Sequence, residues 1–261
     1  MSTTTQSVDF DPRDLEVKVK AMYRDVAEHP DGEFHFEMGR ALAERLGYAP
    51  AELDAVPQEA IASFAGVGHY FHLADLQPGE CVVDLGSGSG MDSFIAANRV
   101  GPNGRVIGID MTDEQLAKAE RLARQGAFAQ VEFRKGYIED VDLADGIADA
   151  VISNGVINLS ADKARVFETA ARLLRRGGRL AISDIVTEDP LPDGVVGNAD
   201  LWAACIGGAA QQDRYRALIE AAGLRVVRIE PNTAYRFLSE NAQAACGKFG
   251  VRSVSLLAVK D

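Results

Sequence analysis

Apolar and polar positions change their spacing along the chain near residue 79. Before that point apolar residues recur three and four positions apart, which is the spacing of one helix face. One such face consists of Leu15, Val19, Met22, Tyr23 and Val26. The spacing predicts helices over residues 11–28 and 36–46, within a helical leader of residues 1–78. Residues 1–10 show no such pattern and are predicted to be disordered.

From residue 80, short apolar runs alternate with segments of helical spacing. The runs predict seven strands, over residues 81–85, 105–110, 130–135, 148–153, 178–184, 224–230 and 251–259. The segments between them predict helices over residues 91–99, 112–125, 161–175 and 211–222. This alternation is typical of a mostly parallel sheet with helices on both faces. We therefore predict an α/β domain over residues 79–261, with a lid insertion over residues 187–210 before the sixth strand.

Two local signals predict helix ends. Thr112 precedes Gln115 by three positions, which is a capping pattern at the start of a helix. Gly177 and Gly178 follow the helix of residues 161–175 and are predicted to end it. No crossover helix is evident between the sixth and seventh strands.

A glycine loop follows the first predicted strand. The run of residues 81–85 breaks into Gly86, Gly88 and Gly90, a Gly-x-Gly-x-Gly pattern, and the next strand ends in Asp110. Glycines let the backbone approach a ligand closely, and a carboxylate at this place can accept hydrogen bonds from both ribose hydroxyls. The order of elements predicts a nucleoside site at the carboxyl ends of the strands. The simpler alternative is that the glycines only make a tight turn and that Asp110 only caps a helix.

Composition narrows the function classes. The 261 residues are 47% apolar and carry a formal charge of -12, which disfavours nucleic-acid phosphates and anionic membranes as partners. No apolar run is long enough to span a bilayer, and the first residues lack a signal pattern. Three widely spaced cysteines make no disulfide framework, and Cys81 and Cys246 are interpreted as structural. We expect a cytoplasmic monomer or homodimer that binds small molecules and no metal.

The motifs together resemble the class I S-adenosylmethionine-dependent methyltransferases. That resemblance implies a Rossmann-like seven-stranded sheet whose last strand is antiparallel. It also implies that the leader caps the active site and that the insertion of residues 187–210 serves as a lid. Compared residue by residue, the chain is similar to the arsenite methyltransferase family. The similar segments are residues 84–90, 108–112, 136–140 and 153–159, with residues 45–48 in the leader and 201–206 in the insertion.

The resemblance implies that the cofactor is S-adenosyl-L-methionine. The residues that it assigns to the cofactor are Asp84, Gly86, Ser87, Gly88, Asp110, Met111, Ile138, Glu139 and Asn154. Asp84 and the backbone of the glycine loop would meet the amino-acid end, and Asn154 would lie near the methionine portion.

The same resemblance also assigns residues to the nucleoside half of the cofactor. Asp110 would hold the ribose hydroxyls, Met111 would pack on the adenine, and Ile138 and Glu139 would meet its edge. Core packing of Met111 and a solvated loop position for Glu139 are the open alternatives.

Most cysteines of the arsenite methyltransferase pattern are absent from this chain. Arsenite-methylating relatives use several thiolates because As(III) is thiophilic. Their positions correspond here to Val67 in the leader, Ser93 after the glycine loop and Gly155 after the fourth strand. Only Cys205 matches, and one thiolate cannot form a cage of three. We interpret the chain as a relative with a changed substrate.

Residues 67–72, just before the first strand, contain histidines and aromatic residues that could take over the role of the missing cysteines. His69 or Tyr70 is a candidate catalytic group, since an imidazole near neutral pKa can take a proton from an attacking acceptor. Cys205 is the third catalytic candidate. Candidate substrate contacts are Tyr23, His72 and Trp202. The alternative is that the aromatic rings are core and that the histidines are exposed.

The leading hypothesis is methyl transfer to a small, soft acceptor such as a thiol or sulfide. Arsenite methylation with a reduced cysteine set is one alternative, and a C-, N- or O-methyltransferase of specialised metabolism is another. Two other classes stay open: an NAD-dependent oxidoreductase and a cofactor-binding regulator without catalysis.

Overall fold

A computed structural model describes residues 12–192 and 206–261, and the side chains from residue 16 onward except that of residue 241. Five helices belong to the leader: α1 Pro12–Glu28, α2 Gly39–Leu46, α3 Pro50–Asp54, α4 Gln58–Ala62 and α5 Phe71–Ala74. The first two agree with the predicted helices, although α2 begins three residues later than expected. The prediction for residues 1–10 and most of the predicted lid insertion lie outside the described residues.

One sheet forms the body of the protein. Its strands are β1 Cys81–Leu85, β2 Arg105–Asp110, β3 Val131–Lys135, β4 Ala148–Asn154, β5 Leu174–Thr187, β6 Ala210–Gln211, β7 Leu224–Pro231 and β8 Arg252–Lys260. The order is β3-β2-β1-β4-β5-β8-β7, and the short β6 pairs with β5. Only β8 runs antiparallel to its neighbours, β5 and β7, among the described strands. The predicted fold class, with its antiparallel last strand, is confirmed.

Helices cover both faces of the sheet. They are α6 Met91–Val100, α7 Asp113–Gln125, α8 Lys163–Leu173, α9 Gln212–Ala221 and α10 Glu240–Phe249. Successive strand residues point to opposite faces. Val82 therefore packs in one core with α6, α7 and the leader, while Val83 packs in the other core with α8 and α9. None of the described helices is long and apolar enough to cross a membrane.

Two expectations about element ends are wrong. Helix α8 stops at Leu173, and Leu174 already pairs with Ala148 in the sheet. The pairing then shifts between Ala148 and Ala150, and Gly177 adopts a φ of +75° within this irregular stretch. The two glycines thus belong to a strand irregularity rather than to a helix end. Helix α10, between β7 and β8, is also absent from the sequence prediction.

Candidate active site

A cavity of about 240 Å³ lies at the carboxyl ends of β1, β2 and β4. Its lining includes all nine residues that the resemblance assigns to the cofactor, and Tyr23. The leader forms one wall through Val19, Tyr23 and Phe64. Ligands in open α/β sheets bind at this edge because the loops after parallel strands converge there.

The glycine loop after β1 forms the floor of the cavity. Gly86 and Gly88 have φ values of +76° and +52°, in the left-handed region that glycine tolerates best. A Cβ on Gly86 would lie 2.4 Å from Val156 Cγ1, so the loop has no space for a side chain there. Ser87 Oγ is buried and has no hydrogen-bond partner among the described residues. The floor therefore offers an unsatisfied hydroxyl to a ligand.

Asp110 ends β2 and fixes the next turn. Its carboxylate accepts hydrogen bonds from the backbone N–H groups of Gly88 and Thr112, both at 2.9 Å. Burial raises the pKa of Asp110, and these donors oppose that shift.

The predicted capping pair has a different use. The Thr112 side chain makes no capping hydrogen bond. Gln115 accepts from the Ser89 hydroxyl and donates to the Tyr23 backbone carbonyl at 2.8 Å. Gln115 therefore connects the start of α7 to the glycine loop and to α1, instead of completing a capping box with Thr112.

Two buried carboxylates, Asp84 and Asp92, line the cavity beside the glycine loop. The Ser93 hydroxyl donates to Asp84 at 2.6 Å. Burial, with the nearby charge of Asp92, raises the pKa of Asp84 to about 8. Burial also raises the pKa of Asp92, opposed by hydrogen bonds from Tyr70 and Tyr48. Asp92 is a site residue that sequence reasoning missed, although it directly follows the glycine loop at the start of α6.

The other end of the cavity is bounded by the segment after β3 and by α1. Ile138 is buried there, and Glu139 lies next to it. Met111 packs beside Val19 and Tyr23. These positions put an apolar surface next to a carboxylate.

The rim at this end is closed by a polar contact. The Tyr137 hydroxyl donates to Glu16 at 2.6 Å, and the Lys20 ammonium donates to both groups at 2.7 Å. The contact joins α1 to the segment after β3 at the edge of the cavity.

Asn154, at the end of β4, holds the leader. Its Oδ1 accepts from the N–H of Val67 at 2.8 Å, and its Nδ2 donates to the Gly68 carbonyl at 2.9 Å. The same Nδ2 also donates to Asp92 Oδ2 at 3.1 Å and to the Tyr48 hydroxyl at 3.0 Å. Asn154 thus connects the leader to the buried carboxylate, in addition to lining the cavity.

The structure does not bring the candidate catalytic histidine segment into the cavity. Burial lowers the pKa of His69 to about 4, which makes its imidazole a weak base. His72 is half-exposed and contacts Glu230 at 2.7 Å. Tyr70 is fully buried, and its hydroxyl donates to Asp92 at 2.7 Å. None of these three side chains lines the cavity, so only Tyr70 is linked to it, through Asp92.

Two of the positions where the resemblance implies cysteine, Val67 and Gly155, meet in space. A Cβ on Gly155 would lie 3.1 Å from Val67 Cγ1, so the two positions are neighbours. Gly155 has a φ of +71°, which disfavours any side chain there. The third position, Ser93, is fully buried. Cys205 and Trp202 lie outside the described residues.

Comparisons with known proteins agree with this architecture. Residues 76–223 match a family model described as "Methyltransferase domain". An arsenite methyltransferase from Halobacterium salinarum is 42% identical over 76% of this chain and 51% of its own length. The human arsenite methyltransferase is 38% identical over 54% of this chain and 40% of its own length. The chain thus spans about half the length of the curated relatives it matches.

Solved structures extend the similarity. An arsenic(III) S-adenosylmethionine methyltransferase from Chlamydomonas reinhardtii superposes with a TM-score of 0.66 at 30% identity, over 86% of this chain and 75% of that chain. A geranyl diphosphate C-methyltransferase from Streptomyces coelicolor A3(2) gives a TM-score of 0.64 at 17% identity, over 93% and 98% of the chains. At that identity the second similarity concerns the fold alone.

Proposed function

Because the chain belongs to the methyltransferase domain family, with the class I S-adenosylmethionine-dependent fold, we propose that it methylates a small, soft acceptor of the thiol or sulfide class. The observation that carries the proposal is that the chain has Val67, Ser93 and Gly155 at the three positions where the resemblance to arsenite methyltransferases implies cysteine. A cytoplasmic location and a monomeric or dimeric state remain predictions.

The residues present fit S-adenosylmethionine. Ser87 has an unsatisfied hydroxyl in the cavity, and Asp84 and Asp92 face it without a cationic partner among the described ion pairs. Asp110 ends β2, where it would hold a ribose, and the Ile138–Glu139 pair would meet the adenine. When bound, the cofactor supplies an electrophilic methyl group on a positively charged sulfur. Every other requirement has to be met by the protein.

The three positions where the resemblance implies cysteines do not provide a thiolate cage for arsenic in this chain. Val67 gives an apolar surface where the family has a cysteine, and Gly155 gives no side chain. Ser93 offers a hydroxyl that already binds Asp84. A soft metalloid centre needs sulfur ligands, and none of these three positions supplies one.

No histidine is among the described residues that line the cavity, and its carboxylates Asp84, Asp110 and Glu139 are assigned to the cofactor, which favours an acceptor that needs no imidazole base. His69 has a pKa of about 4 and lies outside the lining, so it cannot accept a proton efficiently at neutral pH. A thiol of low pKa is already ionised and attacks as the thiolate. Amines and alcohols of ordinary pKa require deprotonation, and we therefore place them second.

The remaining contribution of the chain is positioning and exclusion of water. Phe64 of the leader lines the cavity together with Val156 and Leu159, and these side chains make part of its surface apolar. A dry, shaped cavity can align a nucleophile with a methyl carbon, and alignment is the main requirement of this transfer.

Arsenite methylation is the second candidate because of the identity to arsenite methyltransferases. It would require Cys205 together with thiols that arrive bound to the metalloid. This route predicts dependence on Cys205, whereas thiol methylation does not.

A turnover screen separates these candidates. S-adenosylhomocysteine formation would be measured with sulfide, methanethiol, arsenite plus glutathione, and a panel of amines and phenols. We expect turnover with sulfide, and slower turnover with methanethiol because its higher pKa leaves most of it protonated, both unaffected by Cys205→Ser. Turnover with arsenite that disappears in Cys205→Ser would reverse the order, and turnover with an amine or phenol alone would reject a soft acceptor.

A further inference from the structure

Asp92 is a buried carboxylate whose charge has no counter-charge in direct contact. It lies in the first turn of α6, lines the cavity and is 6% exposed. Among the described ion pairs, none includes Asp92 or Asp84. Arg99, on the same helix as Asp92, binds Glu52 at 2.6 Å instead. An ionised carboxylate at such a site is costly unless donors and a positive charge compensate it.

Neutral donors supply part of that compensation. The Tyr48 hydroxyl donates to Oδ1 at 2.8 Å, and the Tyr70 hydroxyl donates to Oδ2 at 2.7 Å. Asn154 Nδ2 adds a bond to Oδ2 at 3.1 Å. Within the described residues, Oδ1 thus accepts from a single residue, Tyr48, and keeps further acceptor capacity.

Three converging donors favour the ionised form of the carboxylate. Two of them, Tyr48 and Tyr70, come from the leader, and the third comes from the end of β4. Burial opposes these donors and raises the pKa of Asp92, so docking of the leader builds into the cavity an oriented carboxylate that a cationic ligand would hold in its ionised form. The donors satisfy hydrogen bonds but contribute no net charge, so the negative charge remains available to a cationic ligand.

The two carboxylates can be assigned to different cationic centres. Methyl transfer forms a bond from the acceptor's electron pair to the methyl carbon, and the electron pair of the broken carbon–sulfur bond stays on sulfur. A sulfonium thereby becomes an uncharged thioether, whereas the ammonium of the amino-acid end is unchanged. Asp84 is already assigned to the ammonium, and that interaction is the same before and after transfer.

We propose that Asp92 is a specificity-determining residue that provides the counter-charge for the sulfonium, so that the site holds the charged methyl donor more tightly than the uncharged product. This inference rests on the proposed function for its cofactor but not for its acceptor. Once the positive charge is lost, Asp92 favours product release.

Calorimetry on purified protein tests the proposal without turnover. Dissociation constants for S-adenosylmethionine and S-adenosylhomocysteine would be measured for the wild type, Asp92→Asn and Asp84→Asn. The wild type should prefer the charged donor. Asp92→Asn should reduce that preference by at least about tenfold, the size of one charged hydrogen bond. Asp84→Asn should weaken both ligands while the ratio stays within about threefold.

Tyr70→Phe is the matched control, because it removes one donor to Asp92 and keeps the charge. In Tyr70→Phe the ratio of the two dissociation constants should also stay within about threefold of the wild-type ratio. An unchanged ratio in Asp92→Asn, or an equal loss for both ligands, overturns the proposal. If Asp92→Asn fails to fold, the wild-type affinity for sinefungin decides the question, because in sinefungin a carbon that bears a positively charged amino group replaces the methylated sulfur. It should exceed the affinity for S-adenosylhomocysteine, and the reverse order overturns the proposal.

The outcomes separate this inference from the acceptor assignment. If sulfide and thiols fail in the turnover screen while the ratios behave as expected, the acceptor class falls and Asp92 keeps its role. If neither nucleoside binds, both proposals fall.

Discussion

Gly86 gives the sharpest test of how closely the glycine loop approaches its surroundings. In Gly86→Ala the new Cβ would meet Val156 Cγ1 at 2.4 Å and Cγ2 at 2.5 Å, in a backbone with a φ of +76°. The left-handed backbone costs a non-glycine residue about 1 kcal/mol. Displacing packed atoms adds about 2 kcal/mol. We therefore expect Gly86→Ala to lower the free energy of unfolding by about 3 kcal/mol.

Gly79→Ala is the matched control, because Gly79 has a φ of +86° and a Cβ there would meet nothing within 4 Å. It should cost only the backbone contribution of about 1 kcal/mol. Denaturant unfolding of both variants, without ligand, measures the difference. Adding Val156→Ala should reduce the cost of Gly86→Ala by at least about 0.5 kcal/mol, since it removes the two nearest atoms. Equal losses in the two single variants would refute the close approach of Val156 to the loop.

Three further predictions concern the carboxylates and the leader. Asp110→Ala should weaken S-adenosylmethionine binding, measured by calorimetry, by on the order of 2 kcal/mol. Asp113→Ala, at the exposed start of α7, should leave the affinity unchanged. Equal affinities of the two variants would reject the ribose assignment of Asp110. The pKa of Asp84 is raised from 3.8 to about 8, so the fold retains a proton that the unfolded chain releases. Without ligand, the wild type should therefore lose stability relative to Asp84→Asn as pH rises from 4 to 8, and a constant difference would contradict this. Tyr48→Phe should lower the free energy of unfolding by about 1 to 2 kcal/mol, because it removes a donor to Asp92. The exposed control Tyr137→Phe should lower it by less than about 0.5 kcal/mol. Equal losses in the two variants would mean that the Tyr48 hydroxyl does not stabilise the fold.

Local patterns in the sequence were sufficient for the sheet and for one half of the site. Buried strands give continuous apolar runs, the glycine loop begins directly after one strand, and Asp110 is the last residue of the next. Their positions in space follow from the order of elements in a parallel sheet. For the same reason the residues assigned to the cofactor converge on one cavity.

Contacts between distant segments could not be predicted in this way. Tyr48 and Asp92 are 44 positions apart, and their hydrogen bond depends on how the leader docks. The sequence pattern of residues 67–72 suggested catalytic histidines, but packing buries His69 and turns His72 toward Glu230. Thr112 and Gln115 match a capping box locally, yet tertiary partners take the Gln115 side chain. Helix propensity and spacing carry no information about such competition.

Transfer of an isotope-labelled methyl group tests the central claim most directly. The protein would be incubated with S-adenosylmethionine labelled in its methyl group and with sulfide, which is largely ionised near neutral pH, and the products would be analysed by mass spectrometry. The account predicts labelled methanethiol together with S-adenosylhomocysteine, in amounts that depend on the protein and fall in Asp110→Ala. Absence of a labelled sulfur product, with labelled arsenicals formed from arsenite under the same conditions, would contradict it.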